Sequence, residues 1–593
     1  MGRGADRAII TTLALNQSLR TMPEPHALFH ELLQRHWGYE RFRPLQEDII
    51  GSVYDGHDTV ALLPTGGGKS ITYQVAGLAR GGLTLVITPL IALMEDQVLA
   101  LQQRGIRATA VHSGLGQVEI ARRLDGVDCG AYSFLYLSPE RLTTEHLLTS
   151  VTRWGVKLLA VDEAHCISQW GHDFRPNYRR IAEVRQCLPD VPILAVTATA
   201  TPHVVQDIET NLLLRAPRRF SATFQRLGLQ YAVKETIAPY TYLRRILAHT
   251  SGTSIIYVRK RDATEELALE LTMHGVKALA YHAGMSSEER KKRQEAWMRG
   301  EVRVMVSTNA FGMGIDKPDV RLVCHLGLPS SLEEYYQEAG RGGRDGNGAL
   351  AILFYSPEEL FLQKQRLEKS RFTRQTLRGF YAALLQYCSE EWGLSSFAET
   401  PFSPQGFLSC HEQYLSQFST WFQLLQNSEY LRFTMPTRPE YLFSLCASSG
   451  DIERARQGHP AVDAFFQLLL GRLPEEGLYT LPLSLLEKTF RATNEDWRML
   501  LVRLEQQGYI RYAALGQGVG ILSFLTDDDA LEGFDLPYWQ QVHQLAEQRY
   551  EAMVWYVQQH AVCREVLLRR YFGEKLDPLA DACGRCDVCM GAK

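Results

Sequence analysis

Between about residue 55 and 220, short apolar runs alternate with stretches whose apolar positions carry a helical spacing. The runs are Thr59–Leu63, Leu83–Thr88, Phe134–Leu137, Leu158–Val161 and Ile193–Val196. Strands that alternate with helices in this way predict a parallel sheet flanked by helices. A second series follows at Ser254–Val258, Lys277–Tyr281, Arg303–Val306, Leu322–His325 and Ala351–Phe354, with a break near Ala216–Arg226 between the two. The pattern therefore predicts two α/β lobes. After Ser356 it changes to longer helices, and 357–480 offers little to read. Between Leu481 and Leu525 a helix is followed by Thr493-Asn494, which would cap a second helix with the apolar face Trp497, Leu500, Leu501 and Leu504. Gly508 ends that helix. Tyr509–Ala513 and Val519–Phe524 then flank Leu515-Gly516-Gln517-Gly518 as a β-hairpin would, which makes 481–525 a candidate winged helix. A small helical packing module without DNA contact is the competing reading.

Length adds that one core does not suffice: 593 residues imply about three to five domains. With 45% hydrophobic and 22% charged residues, and no apolar run near the ~18 residues of a membrane span, the composition is that of a soluble globular protein and excludes a transmembrane role. Ala8–Leu15 is mildly apolar after Arg3 and Arg7, but it is short, interrupted and without a clear cleavage site. Residues 1–25 are thus expected to be a flexible tail and the protein intracellular. A net charge of −4 removes the global basic footprint of a nucleic-acid binder, so any contact with nucleic acid would have to come from local basic and aromatic groups.

Candidate chemistry begins at Leu62-Leu63-Pro64-Thr65-Gly66-Gly67-Gly68-Lys69-Ser70, which follows a predicted strand and opens a predicted helix. Glycines let backbone amides close around phosphate oxygens, Lys69 places a charge on the β/γ-phosphates of ATP, and the Ser70 hydroxyl can ligate Mg²⁺. Leu63 stands where the usual first glycine of such a loop would be. The strand Leu158-Leu159-Ala160-Val161 ends in Asp162-Glu163-Ala164-His165, and carboxylates at the C-terminal edge of a parallel strand suit a nucleotide site. Asp162 would hold Mg²⁺, Glu163 would position and deprotonate water, and His165 could sense the γ-phosphate. The second lobe offers Gln337-Glu338-Ala339-Gly340-Arg341-Gly342-Gly343-Arg344, whose Arg341 and Arg344 could cross the cleft as arginine fingers. Of eleven cysteines, Cys563, Cys583, Cys586 and Cys589 bunch at the C-terminal end. In a cytosolic protein such bunching favours a metal, and four thiolates suffice for closed tetrahedral Zn²⁺, with His560 in place of Cys563 as a variant.

Together these residues resemble a superfamily 2 helicase, and the sequence between them narrows the resemblance to the RecQ family. Trp37-Gly38-Tyr39-Glu40-Arg41-Phe42-Arg43-Pro44-Leu45-Gln46 resembles that family's adenine-recognition motif, which implies that Tyr39 stacks on the base while Arg43 and Gln46 bond to it. Thr88–Gln97, Ser138–Arg141, Thr197–Ala200 and Phe311–Asp316 match further helicase motifs in order. Asp162–Pro176 is the most specific match; its aromatic-rich loop, with Trp170, Phe174 and Arg175, implies coupling of DNA binding to hydrolysis. The resemblance covers about 30–356, then resumes at Cys563–Glu574 and Cys583–Cys589. It implies two tandem RecA-like domains at 26–220 and 221–357, a mostly helical region at 358–535 and a zinc-binding module at 536–593. It further implies an ATP-dependent, 3′-to-5′ DNA helicase of DNA repair or recombination, in the cytoplasm or nucleus, with a DNA-stimulated translocase that does not part strands as the alternative and with a monomer as one open oligomeric state.

Three departures change what is carried over. The candidate winged helix precedes the zinc site instead of following it, and the chain stops at Lys593 without the C-terminal helical DNA-binding module of many relatives. Gly343 replaces an alanine common in the last motif. The hairpin tip Leu515–Gly518 carries no aromatic wedge, so the strand-parting element is open.

Overall fold

The computed structural model describes residues 25–64, 66–143, 145–168, 175–312, 315, 317–392, 399–436, 439–472, 478–490, 496–516, 518–526 and 530–591. The expected tail short of Pro25, together with Thr65, Trp170, Phe174 and the Thr493-Asn494 caps, lies outside them. The chain divides into two compact units, one holding the residues up to Phe361 with Glu547–Lys593, the other Leu362–Ala546.

The first lobe is built on β1 (Thr59–Leu62), β2 (Leu83–Ile87), β3 (Ala108–Val111), β4 (Phe134–Leu137), β5 (Val156–Val161), β6 (Ile193–Thr197) and β7 (Arg218–Ser221). They form a seven-stranded sheet in the order β3-β4-β2-β5-β6-β1-β7, and each neighbouring pair is parallel. Successive side chains of a strand point to opposite faces. Here both faces are apolar: Val60, Leu85, Leu135 and Leu159 enter one core, while Ala61, Val86, Phe134 and Leu158 enter the other. Burial on both sides is why these strands read as continuous apolar runs. Two strands escape that signal. β3 is built of small residues, and β7 is a largely exposed edge strand that lies inside the predicted break and pairs with β1.

The second lobe holds β8 (Leu229–Glu235), β9 (Thr253–Tyr257), β10 (Ala278–Tyr281), β11 (Val304–Ser307), β12 (Val320–Leu326) and β13 (Ala349–Tyr355). The order is β10-β11-β9-β12-β13-β8, again with every pair parallel. β8 is an edge, and the C-terminal cysteine module closes it. The Asp587 N–H donates to the Tyr231 carbonyl at 3.1 Å, and the Val233 N–H donates to the Asp587 carboxylate at 3.0 Å. Leu229, Tyr231 and Leu353 share one core with Tyr556, Val566, Leu567, Phe572 and Cys586. The cysteine module is thus part of the second lobe's body.

The intervening unit contains β14 (Thr400–Phe402), β15 (Leu431–Thr434), β16 (Glu440–Leu445), β17 (Leu478–Pro482), β18 (Ile510–Leu515) and β19 (Gly520–Phe524). The helix Trp497–Gln506 buries Trp497, Leu500, Leu501 and Leu504, as its spacing predicts. The expected hairpin is not formed. β18 pairs antiparallel with β16, whereas β19 pairs antiparallel with β14 and β15, and a single bridge between Gly516 and Val519 joins the two segments. They belong to separate three-stranded sheets, β17-β16-β18 and β14-β19-β15. Both ladders keep one antiparallel register, Leu431 opposite Phe524 in one and Glu440 opposite Leu515 in the other.

One buried carboxylate pins the first lobe. Asp58, immediately before β1, accepts from the Ile193 N–H at 2.8 Å, the Arg215 N–H at 2.7 Å and the Arg185 guanidinium at 2.7 Å. Asp58→Ala strands a buried cation and two backbone donors, so it should lower the unfolding free energy by about 3–5 kcal/mol. Denaturant unfolding of the full chain measures this; a loss under about 1 kcal/mol would mean the lobe does not depend on the pin.

Candidate nucleotide site and cysteine cluster

The phosphate loop leaves the C-terminal end of β1 and enters the helix Lys69–Arg80. Gly68 has φ 76°, and a Cβ there would stand 2.4 Å from the Gln46 amide nitrogen, so only glycine fits. Gln46 is buried, and its Nε2 donates to the carbonyls of Gly67 at 3.2 Å and Gly68 at 3.1 Å while its Oε1 accepts from the Arg43 N–H at 2.9 Å. The Arg43 guanidinium donates to the Gly66 carbonyl. Both residues that the resemblance assigns to the adenine therefore rest on the phosphate loop. The exposed Tyr39 lines the same cavity of about 680 Å³ as Arg43, Gln46, Gly66, Gly68, Lys69, Ser70, Asp162, Glu163, Gln337, Arg341 and Arg344.

β5 delivers the two carboxylates to this cavity. Lys69 Nζ lies 2.8 Å from Glu163 Oε1, and both side chains are nearly buried, which strengthens their attraction over that of a surface pair. Glu163 has φ 46°, a left-handed conformation whose strain is about 1–3 kcal/mol for a non-glycine residue and which is typical of functional turns. Burial and the neighbouring Glu163 charge push Asp162 up to about 6. His165 is fully buried behind the cavity. Its Nδ1 is 3.4 Å from Glu163 Oε2 and 2.8 Å from the Thr197 hydroxyl at the end of β6.

From Thr197 the contacts continue into the other lobe. The Thr199 N–H donates to Thr197 Oγ1 at 3.3 Å, and Gln337 Nε2 donates to Thr199 Oγ1 at 3.1 Å. Gln337 stands on the helix Leu332–Ala339, which Ser331 caps by accepting from the Glu334 N–H and which ends at Gly340. Just beyond, Arg341 is buried at the cavity wall. Arg344 lies against the phosphate loop, its Cδ 3.5 Å from where a Gly66 Cβ would be, while its Nη1 donates to the Ile315 carbonyl at 2.7 Å. Thr197 and Thr199 were legible only as members of a motif. The stronger signal is position, since they follow β6 as Asp162 and Glu163 follow β5, at the strand ends where ligands bind. Arg175 reaches inward: its Nη1 donates to the Pro89 carbonyl at 2.7 Å, and its backbone N–H donates to the Cys166 carbonyl at 2.8 Å.

The second cluster is Cys563, Cys583, Cys586 and Cys589, whose sulfurs all lie within 4.8 Å of one another. Cys563 and Cys586 sulfurs are 3.9 Å apart, close to the ~3.8 Å edge of a tetrahedron with Zn–S bonds of ~2.3 Å. Backbone N–H groups of Cys583, Cys586 and Cys589 donate to the sulfurs of Cys563, Cys583 and Cys586, as thiolate ligands require. The residues fit a closed structural Zn²⁺ site. His560 is exposed and is not in the cluster, so the variant ligand set is set aside.

Three family models match the chain: "DEAD/DEAH box helicase" over 43–208, "Helicase conserved C-terminal domain" over 238–346 and "RecQ zinc-binding" over 519–590. "Probable ATP-dependent DNA helicase RecS" of Bacillus subtilis is 38% identical over 352 residues, 58% of this chain and 71% of that one. The chain belongs to the RecQ family. "ATP-dependent DNA helicase RecQ" of Haemophilus influenzae is 42% identical over 352 residues, 59% of this chain and 56% of the relative. The Bacillus subtilis RecQ is 41% identical over 377 residues, 62% of this chain and 63% of the relative. The alignments with these two RecQ proteins thus span between half and two thirds of their lengths. Within this RecQ-family chain, the unit Leu362–Ala546 begins after the second matched range and reaches into the third.

Because the cysteine module shares its core with the second lobe, loss of its metal should be felt beyond the loop itself. Cys583→Ser and Cys586→Ser are expected to lower bound zinc from about one per chain and to lower the melting temperature. A soluble double variant with unchanged zinc by metal analysis would refute the ligand set.

Proposed function

We propose that this RecQ-family chain is an ATP-driven DNA helicase that moves 3′-to-5′ along single-stranded DNA, parts duplex strands and serves DNA repair or recombination. The observation that carries the reading is the line of close polar groups from one lobe to the other: Lys69 pairs with Glu163, His165 stands 3.4 Å from Glu163 and bonds to Thr197, and Thr197, Thr199 and Gln337 are joined by hydrogen bonds. Lys69 and Glu163 are paired with each other in the structure. Phosphate entering the loop draws Lys69 to the β/γ-oxygens, and the released Glu163 carboxylate then orients water and takes its proton. Tyr39 stacks on the adenine, while Arg43 and Gln46 turn from the loop toward the base. Ser70 and Asp162 are the residues that would hold Mg²⁺, which supplies charge neutralisation at the phosphates. Arg341 and Arg344 add positive charge from the second lobe, so hydrolysis requires closure and closure produces movement.

DNA reaches this cycle through the segment Ser168–Pro176. Arg175 lies beside the helix turn Ala164–Ile167 that carries His165, and its guanidinium can exchange the Pro89 carbonyl for a phosphate. Trp170 and Phe174 would add base stacking of about 1–3 kcal/mol each. One second reading is a DNA-stimulated translocase that moves on or remodels DNA without strand separation, supported by β18 and β19 being paired into separate sheets by β16 and by β14 and β15.

Unwinding assays on 3′-tailed, 5′-tailed and blunt DNA duplexes and on RNA duplexes test both. Opening of 3′-tailed DNA alone is expected. ATP turnover stimulated by DNA with no opening of any duplex would favour the translocase. Glu163→Gln should keep ATP binding and reduce turnover by about 10²–10⁴-fold, because it keeps the shape and removes the base. Near-normal DNA-stimulated turnover in that variant would show that the base is elsewhere.

A further inference from the structure

Between the two helicase-type matched ranges lies Arg226, which no sequence motif singles out. Its guanidinium spans two carbonyls, donating from Nη1 to Gly340 at 2.9 Å and from Nη2 to Gly342 at 3.1 Å. These carbonyls flank Arg341 at the C-terminal end of the helix Leu332–Ala339, where peptide oxygens have no partner one turn on and the helix dipole is negative. A planar fork suits two such acceptors at once, and an ammonium does not. The turn itself is stiff. The Gly343 N–H donates to the Val320 carbonyl at 2.9 Å, and a Cβ on Gly342 would stand 2.9 Å from Leu229 Cδ1.

The backbone of Arg226 is held from the other side by the cysteine module. Its carbonyl accepts from Arg585 Nη2 at 2.9 Å, and its N–H faces Glu565 Oε1 at 3.4 Å. Arg585 also pairs with the buried Glu565 and donates to the Leu229 carbonyl at 3.0 Å. Glu565 stands two residues beyond Cys563, and Arg585 stands between Cys583 and Cys586. One residue is therefore held at both ends: the cysteine module holds its peptide, and its side chain holds the turn that carries Arg341 and leads to Arg344.

We propose that Arg226 is a positioning residue through which the cysteine module sets where Arg341 and Arg344 enter the nucleotide cavity, so that the module governs turnover and not only folding. This rests on the reading above that those arginines act on the nucleotide. The argument is one of leverage. A misplacement of about 1 Å in a charge-stabilising group can cost about 10²-fold in rate, while nucleotide affinity depends chiefly on the phosphate loop of the other lobe.

The test compares the full-length zinc-loaded chain with Arg226→Ala and Arg226→Lys. Five quantities are read: DNA-stimulated kcat and KM for ATP, hydrogen exchange over 338–346, zinc content and melting temperature. Arg226→Ala should lower kcat about 10- to 100-fold with KM within about twofold, and should speed exchange over 338–346 while zinc and melting temperature stay near the parent's. Arg226→Lys should fall between, because one ammonium satisfies one carbonyl at a time. Unchanged kcat and unchanged exchange would overturn the proposal. So would a joint fall of zinc, melting temperature and nucleotide affinity, which marks a merely structural role. If the parent chain hydrolyses no ATP with or without DNA, the functional reading fails by itself. Exchange over 338–346 still decides the clamp, since faster exchange in Arg226→Ala supports it and unchanged exchange overturns it.

Discussion

A hydrogen bond between side chains of different lobes, from Gln337 to the Thr199 hydroxyl, joins the two sides of the nucleotide site. On one side of it stand Thr197, His165 and Glu163, on the other the helix that ends at Arg341. Each group is buried or nearly so, and a buried polar group without a partner costs about 1–3 kcal/mol. The arrangement is therefore sensitive to separation: if the lobes part, Gln337 and Thr199 lose each other, and the arginines leave the phosphate loop together. Two parallel sheets make this geometry natural, because each gathers its polar strand ends at one edge.

The cysteine module extends the same logic to the far side of the second lobe. It covers the β8 edge, which would otherwise present unpaired backbone groups, and it adds Tyr556, Val566 and Phe572 to the lobe's core. Structural metal sites stabilise small folds by tying ligands that are distant in sequence. Here the tied segment also touches the linker between the lobes, with Glu574 accepting from the Phe224 N–H at 2.6 Å and Phe572 stacked on Phe224 at 4.5 Å. A module that reads as a separate C-terminal block is physically a wall of the second lobe.

What the sequence revealed follows from the range of the interactions involved. Gly66–Ser70, Asp162-Glu163 and the cysteine spacing are short and chemically specific, and the structure brings the described members of each set together. The strands buried on both faces announce themselves as apolar runs. β7 and β8 do not, because edge strands keep polar side chains, and Arg226 looks like any surface cation until its two carbonyl partners are seen more than 110 positions away. The hairpin was misread for the same reason. Gly516 and Gly518 mark a tight turn between two strands, but turn chemistry is local and says nothing of β14, β15 and β16, which take the pairing instead.

A double-mutant cycle on Thr199→Val and Gln337→Ala, read in DNA-stimulated ATP turnover, tests the network most directly. Thr199→Val removes the hydroxyl at nearly constant shape, and Gln337→Ala removes its donor. If the two side chains act as one link, the double variant will be little worse than either single variant, with a coupling of about 0.5–3 kcal/mol. Effects that add to within about 0.5 kcal/mol would contradict the account, because the lobes would then be joined by something other than this contact.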